Sequence, residues 1–109
     1  MDWFQGSPQE LEDAVSGSPI SAFYISTENC NVCNSLRPKI VEFFSEKFPD
    51  VHLTIFRSEL YPRWSAQNSI FTAPVLLIFA DGKEAMRFGR SISFSELEEK
   101  LDRLQELMG

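Results

Sequence analysis

Apolar residues recur at different spacings along this 109-residue chain, and each change of spacing predicts a change of element. Leu11, Ala14 and Val15 fall on one helical face. Ser7-Pro8-Gln9-Glu10 precedes them: Ser7 suits the cap, Pro8 the first helical position, and Glu10 completes a capping box. Gly17 ends this helix. Ile20 to Ser26 follows Ser18-Pro19 and is rich in aromatic and branched residues, which predicts a buried strand. Thr27-Glu28-Asn29 reads as a loop. From about Cys30 the spacing turns helical, with Leu36, Ile40, Val41, Phe44 and Phe48 recurring through Lys47. Pro38 lies inside this helix, where it removes one hydrogen bond and is expected to bend the axis.

Pro49-Asp50 breaks that helix. Val51 to Arg57 predicts a second strand, with Val51, Leu53 and Ile55 on one face. Ser58 to Ile70 has no decisive period; Tyr61, Trp64 and Ala66 fit a short helix that Pro62 limits. Val75 to Phe79 is a continuous apolar run, the pattern of a central strand covered on both faces. Asp81-Gly82 predicts a hairpin turn, and Glu84 to Gly89 the returning strand. Ser93-Phe94-Ser95-Glu96 is a second capping box, opening a helix whose core face is Phe94, Leu97, Leu101, Leu104 and Met108. A short extra strand at Trp3-Phe4 also fits the pattern. A strand–helix–strand unit requires a parallel crossover, whereas the hairpin requires an antiparallel pair. The expected fold is therefore α/β, a mixed sheet with helices on both faces, in a single domain spanning 1–109. There are no repeats, linkers or low-complexity tracts.

Charge narrows the partners. The formal net charge of −6 argues against a phosphate-backbone binder, which needs surplus Lys and Arg, and against an anionic membrane surface. The longest apolar run, Ala73 to Ala80, is interrupted by Pro74 and falls far short of the ~20 residues of a membrane span. The first residues have neither a basic nor an apolar leader region. The expectation is a cytoplasmic chain with no nucleic-acid or membrane partner. Phe43, Phe44 and Phe48 are assigned to the core. Tyr61 and Trp64 pack under the short helix or form a partner surface. Arg37 and Lys39 would lower the pKa of a nearby thiol, and Glu28 would act the other way, but a turn into the helix both cations are expected in solvent, as is the acidic face of Glu96 to Glu106.

The two cysteines form one Cys30-Asn31-Val32-Cys33 motif between a strand and a helix. A bridge here would close a four-residue loop and add only about 2 kcal/mol of stability, so architecture is a poor explanation. Redox chemistry explains it better. Cys30 falls at the helix N-terminus, where unpaired N–H groups and the macrodipole favour a thiolate, the nucleophile of disulfide exchange. Cys33, one turn further in, can reach the Cys30 sulfur and resolve a mixed disulfide. A metal reading is weaker. The single histidine, His52, is expected half-exposed on the second strand, so one chain offers at most three ligands. A dimer sharing a metal or iron–sulfur cluster through four cysteines stays open.

At this point the chain resembles the thioredoxin family over nearly its whole length. Pro38 lies five residues past the second cysteine, as the family's helix-kinking proline does. Thr72-Ala73-Pro74-Val75 is similar to the family's cis-proline loop, with Pro74 as the cis residue. Asp81-Gly82-Lys83 matches the turn after the buried strand, and Gly89 the glycine beside the active site. The resemblance implies a thioredoxin fold and dithiol–disulfide exchange without a bound cofactor beyond a redox-active Cys30–Cys33 disulfide. It implies catalysis by Cys30 and Cys33, and substrate contacts at Asn29, Asn31, Ala73, Pro74 and Gly89. Tyr24 and Pro38 serve as structural support. The partners implied are protein or small-molecule disulfides and a dithiol reductase or thiol donor. Four positions depart from the family: Asn29 replaces the tryptophan before the first cysteine, Asn31-Val32 replaces Gly-Pro, and Tyr24 replaces the buried acid six residues before Cys30. These departures keep a second function open, an interaction or redox-sensing module with poor turnover.

Overall fold

The computed structural model describes residues 3–108. Ser7 caps α1 (Pro8–Ser16) with both bonds of the capping box in place, and Gly17 closes it. β1 (Ile20–Ser26) is buried along its whole length, as its unbroken apolar and small-residue pattern requires. α2 (Asn31–Lys47) runs through Pro38 without a break and ends at Phe48. β2 (His52–Arg57) leads into a 3-10 turn at Ser58–Leu60 and then α3 (Pro62–Gln67). The ambiguous stretch is thus two short helical pieces, with Pro62 at the start of the second rather than inside it. β3 (Val75–Ala80) and β4 (Lys83–Phe88) form the hairpin, and α4 (Phe94–Met108) closes the chain. Asp81 and Gly82 both have positive φ, 54° and 81°, the conformation that a two-residue hairpin turn demands and that glycine adopts freely.

The sheet order is β2-β1-β3-β4. β1 pairs parallel with β2 through the α2 crossover and antiparallel with β3, and β3 pairs antiparallel with β4. Strand alternation divides the core in two. Ala22, Tyr24, Leu53, Ile55, Leu76 and Ile78 face α2 and α4, where they meet Ile40, Phe44, Leu97 and Leu101. Phe23, Ile25, Phe56, Leu77 and Phe79 face α1 and α3, where they meet Leu11, Val15 and Trp64. Helices on both faces of a mixed sheet are the architecture that the sequence pattern predicts.

The structure corrects several details. Met108 is exposed rather than on the core face of α4, because it lies in the helix's last turn, bordering an open cavity with Ile20 and Val51. Trp3-Phe4 is not assigned as a strand; among the described residues it is tied to the β2 edge by one backbone bond of 2.7 Å, from the Phe4 N–H to the Ile55 carbonyl. His52 is exposed, not half-exposed. The second capping box is half closed. Ser93 Oγ accepts from the Glu96 N–H at 3.3 Å, but the Glu96 carboxylate pairs with Lys100 one turn on. No described helix is long and apolar enough to cross a membrane.

Candidate active site

The last residue of β1, Ser26, hands over to a four-residue loop that must turn into α2. Asn29 makes that turn with φ 59°, a left-handed conformation that asparagine tolerates better than most residues. The sequence assigned Asn29 to substrate contact; the backbone supplies a conformational reason for it. Cys30 follows as the cap of α2, in extended conformation. Its Sγ accepts from the Cys33 N–H at 3.1 Å, and its carbonyl accepts the first helical bond, from the Asn34 N–H, at 3.1 Å. Cys30 and Cys33 are joined by a disulfide, with Cα atoms 5.2 Å apart. Cys30 is half-buried, and Cys33 is 1% exposed. A reduced Cys30 therefore keeps an N–H and the positive end of a 17-residue helix aimed at its sulfur. Such a position lowers a thiol pKa.

Strand register brings the other sequence-assigned residues to the same end of the sheet. Val75 pairs with Ile25, which sets Ala73 and Pro74 beside the β1–α2 loop. The Ala73–Pro74 peptide bond is cis; Pro74 is buried and Ala73 half-buried. Phe88 pairs with Leu76, so exposed Gly89 lies one residue beyond, at the same end. Nothing lies within 4 Å of where a Gly89 side chain would begin, so it leaves open space. Asn31 and Val32 are exposed between the cysteines, and Pro38 is exposed on α2. His52 stands apart. It pairs with Ser21 at the opposite end of the strands, so it cannot complete a ligand set with the cysteines. Among the described residues no three His, Cys, Asp or Glu side chains gather as a metal-binding group.

Beneath the cysteines, Tyr24 is fully buried and its hydroxyl donates to the Cys33 carbonyl at 2.8 Å. Burial pushes its pKa up to about 12, against a smaller opposing pull from the Arg37 charge. The phenol is neutral at physiological pH and ties the first turn of α2 to β1. Arg37 is the residue that sequence reasoning misplaced. It is half-buried rather than in solvent, with its guanidinium 4.8 Å from the centroid of the Trp3 ring. Arg57 lies 4.8 Å from the same ring. A tryptophan at position 3 and two distant arginines were the available signal, but nothing local in the sequence joins them. Around the loop, the Glu28 N–H donates to Glu59 at 2.8 Å, fastening the loop to the 3-10 turn.

A half-exposed sulfur at a helix N-terminus, bonded to a buried partner one turn in, defines a dithiol–disulfide exchange centre on a mixed α/β sheet. Comparison with known proteins gives that class its family. The chain is 33% identical over 97 residues to thioredoxin-like protein YdfQ of Bacillus subtilis, covering 89% of this chain and 86% of that protein. It is 32% identical over 84 residues to thioredoxin of Chlamydia trachomatis, covering 74% and 78%. Among solved structures, a point mutant of thioredoxin from Halobacterium salinarum superposes with a TM-score of 0.78 at 20% identity, over 94% of this chain and 88% of that one. Thioredoxin 1 of Thermosipho africanus superposes with a TM-score of 0.69 at 28% identity, over 80% and 96%. No family model matches the sequence. The chain belongs to the thioredoxin family. Its function is thiol–disulfide exchange through the Cys30–Cys33 pair.

Proposed function

We propose that this chain is a catalytic oxidoreductase in which Cys30 attacks and Cys33 resolves. The Cys30 thiolate attacks a substrate disulfide and releases one substrate thiol. Cys33 then attacks Cys30 Sγ, frees the second substrate thiol and leaves the intramolecular disulfide. The observation that carries this reading is the asymmetry of the two sulfurs: Cys30 is half-buried and accepts the Cys33 N–H, while Cys33 is 1% exposed. Ala73 and Pro74 present backbone to an extended substrate segment beside the cysteines, a short strand addition. Asn29, Asn31 and Gly89 border the approach, the last through the space it leaves. Tyr24 and Pro38 support the helix that carries the pair. Protein or small-molecule disulfides are the substrate class. Electrons come from a dithiol reductase or a thiol donor, with no bound cofactor. A reducing compartment such as the cytoplasm suits a chain whose cysteines both sit in the exchange pair.

The test is dithiothreitol-driven insulin reduction, with limiting iodoacetamide on the reduced protein. The expected result is turnover abolished by Cys30→Ser and stalled as a mixed disulfide by Cys33→Ser, with Cys30 alkylated first. Preferential labelling of Cys33 would reverse the roles, and no turnover above free dithiothreitol would sink the catalytic reading.

A further inference from the structure

Arg37 is a charged group beside the site that the exchange steps leave unused. It lies four positions after Cys33 on α2, so the two side chains share one face of the helix. Long helical side chains lean back toward the N-terminus, which carries this guanidinium over the turn that holds Cys33. The side chain is fixed there. Trp3 stacks on it at 4.8 Å, packs against the core and is held by the neighbouring Phe4 bond to β2. Arg37 Nε is buried with no hydrogen-bond partner among the described residues. Its charge is felt at the Tyr24 hydroxyl, which itself bonds the Cys33 carbonyl.

Resting on the exchange reading above, we propose that Arg37, clamped by Trp3, is a positioning residue for the resolving step that stabilises the Cys33 thiolate. In the mixed disulfide Cys33 gives its proton to solvent. Its Sγ bonds to Cys30 Sγ as the Cys30–substrate bond breaks, and the substrate sulfur leaves with the electron pair and takes up a proton. The Tyr24 phenol cannot be the base, because it is already protonated far above neutral pH. Among the described residues the other charges on elements around Cys33 are few, and Lys39, further along α2, is exposed. Glu28 and Glu59 are exposed and oppose a thiolate, and Glu59 is engaged by the Glu28 N–H. Arg57 also favours one: it pairs with Ser26 at the cysteine end of the sheet and lies 4.8 Å from the same Trp3 ring, but it is exposed and on β2 rather than α2; Arg90 lies exposed beyond β4. Residues 71–74 carry no charge. Arg37 is the cation nearest in the helix to the resolving sulfur.

A Cys30→Ser protein has one thiol, so thiolate absorbance against pH reads Cys33 alone. In that background Arg37→Gln is expected to raise the Cys33 midpoint by about one pH unit, the lower range for loss of a neighbouring opposite charge. Arg37→Lys should raise it less. Trp3→Ala should also raise it less, since it frees the charge without removing it. Arg103→Gln, on the exposed face of α4, is the control and should leave the midpoint alone. With both cysteines present, the midpoint of the pH profile of resolution from a mixed disulfide should move by the same amount, and resolution at a fixed pH below it should be about threefold slower, because the smaller thiolate fraction is partly offset by a more nucleophilic sulfur. An unchanged Cys33 midpoint in Arg37→Gln overturns the proposal. An equal rise in Arg37→Lys does so too, because it would make the role one of packing. The titration uses no substrate, so it stands or falls separately from the insulin assay, whose failure would overturn the exchange reading instead.

Discussion

The chain has two tyrosines, and the fold places one on each side of the sheet. Each donates its hydroxyl to a backbone carbonyl, Tyr24 to Cys33 at 2.8 Å and Tyr61 to Gly6 at 2.7 Å. Their surroundings differ. Tyr61 belongs to an aromatic cluster with Phe4, Phe56 and Trp64, and Phe56 meets both Tyr61 and Trp64 edge-on, at 5.2 and 5.4 Å. That side holds the N-terminal segment, α1 and α3 against the sheet. Tyr24 is on the side that carries the cysteines, where the Arg37 charge acts on its hydroxyl. Its bond fixes the turn of α2 from which Cys33 projects. Each side holds one buried nitrogen without a hydrogen-bond partner among the described residues, Trp64 Nε1 on the packing side and Arg37 Nε on the other, but only the second lies beside the exchange pair. The same residue type does architectural work on one side and aligns a reactive turn on the other.

The largest effect that tests this division is Trp64→Ala. Trp64 is 4% exposed and stacks within 5.2–6.5 Å of Phe23, Phe56 and Phe79. Emptying that site should cost about 3–5 kcal/mol, read as a lower denaturation midpoint. Iodoacetamide labelling of Cys30 in the folded fraction should not change. A coupled change in thiol reactivity would show that the two faces are not separable.

Alkaline titration separates the two tyrosines next. Tyr24 has its folded pKa raised from 10.0 to about 12, so its contribution is fully present below pH 10 and is lost as pH rises through about 12. Two units correspond to about 2–3 kcal/mol. Tyr61 is raised by burial and by Glu10, so it works in the same direction. Tyr24→Phe should therefore flatten most of the alkaline limb of a stability–pH curve, and Tyr61→Phe should leave most of it. At neutral pH each should cost only about 1 kcal/mol, the usual net value of one hydrogen bond. An alkaline limb untouched by Tyr24→Phe would contradict the buried-phenol account.

How much of this was legible in the sequence depends on how local the cause is. The strands, the hairpin and the helix starts follow from period, turn chemistry and caps, all decided within a few residues. The Cys30–Cys33 motif at a helix start is equally local, and its chemistry could be read directly. Ser58 to Ile70 stayed ambiguous because six- and three-residue helical pieces are too short to show a period. Arg37 was misread because a charge on a helix is ordinarily solvated. The contacts that bring Trp3 over it, the Phe4–Ile55 bond and the packing of Trp3 on the core, join residues far apart in sequence. Met108 continues the apolar spacing of α4 but falls in its last turn, where it borders an open cavity instead of the core.

The smallest expected difference lies at the first turns of the two helices with capping boxes, α1 on the packing face and α4 on the reactive one. The sequence motif is the same in kind, Ser followed three residues later by Glu. In α1 the exchange is reciprocal: Glu10 N–H donates to Ser7 Oγ at 3.1 Å, and Ser7 N–H donates to the Glu10 carboxylate at 2.9 Å. In α4 only the first half forms, at 3.3 Å, because Lys100 one turn on offers Glu96 a cation at 3.0 Å. Both glutamates lie near the positive end of their helix, so that term is shared and cancels in the comparison. What differs is the number of N–H groups satisfied by side chains. Ser7→Ala should cost about 1 kcal/mol, the usual value of a lost cap, and Ser93→Ala a few tenths less. Lys100→Met releases Glu96 to reach back to the Ser93 N–H. In that background the cost of Ser93→Ala should rise toward that of Ser7→Ala. Chemical denaturation of the four single and double variants measures it. Equal costs for Ser7→Ala and Ser93→Ala with Lys100 in place would show that the reciprocal bond in α1 adds nothing to the cap.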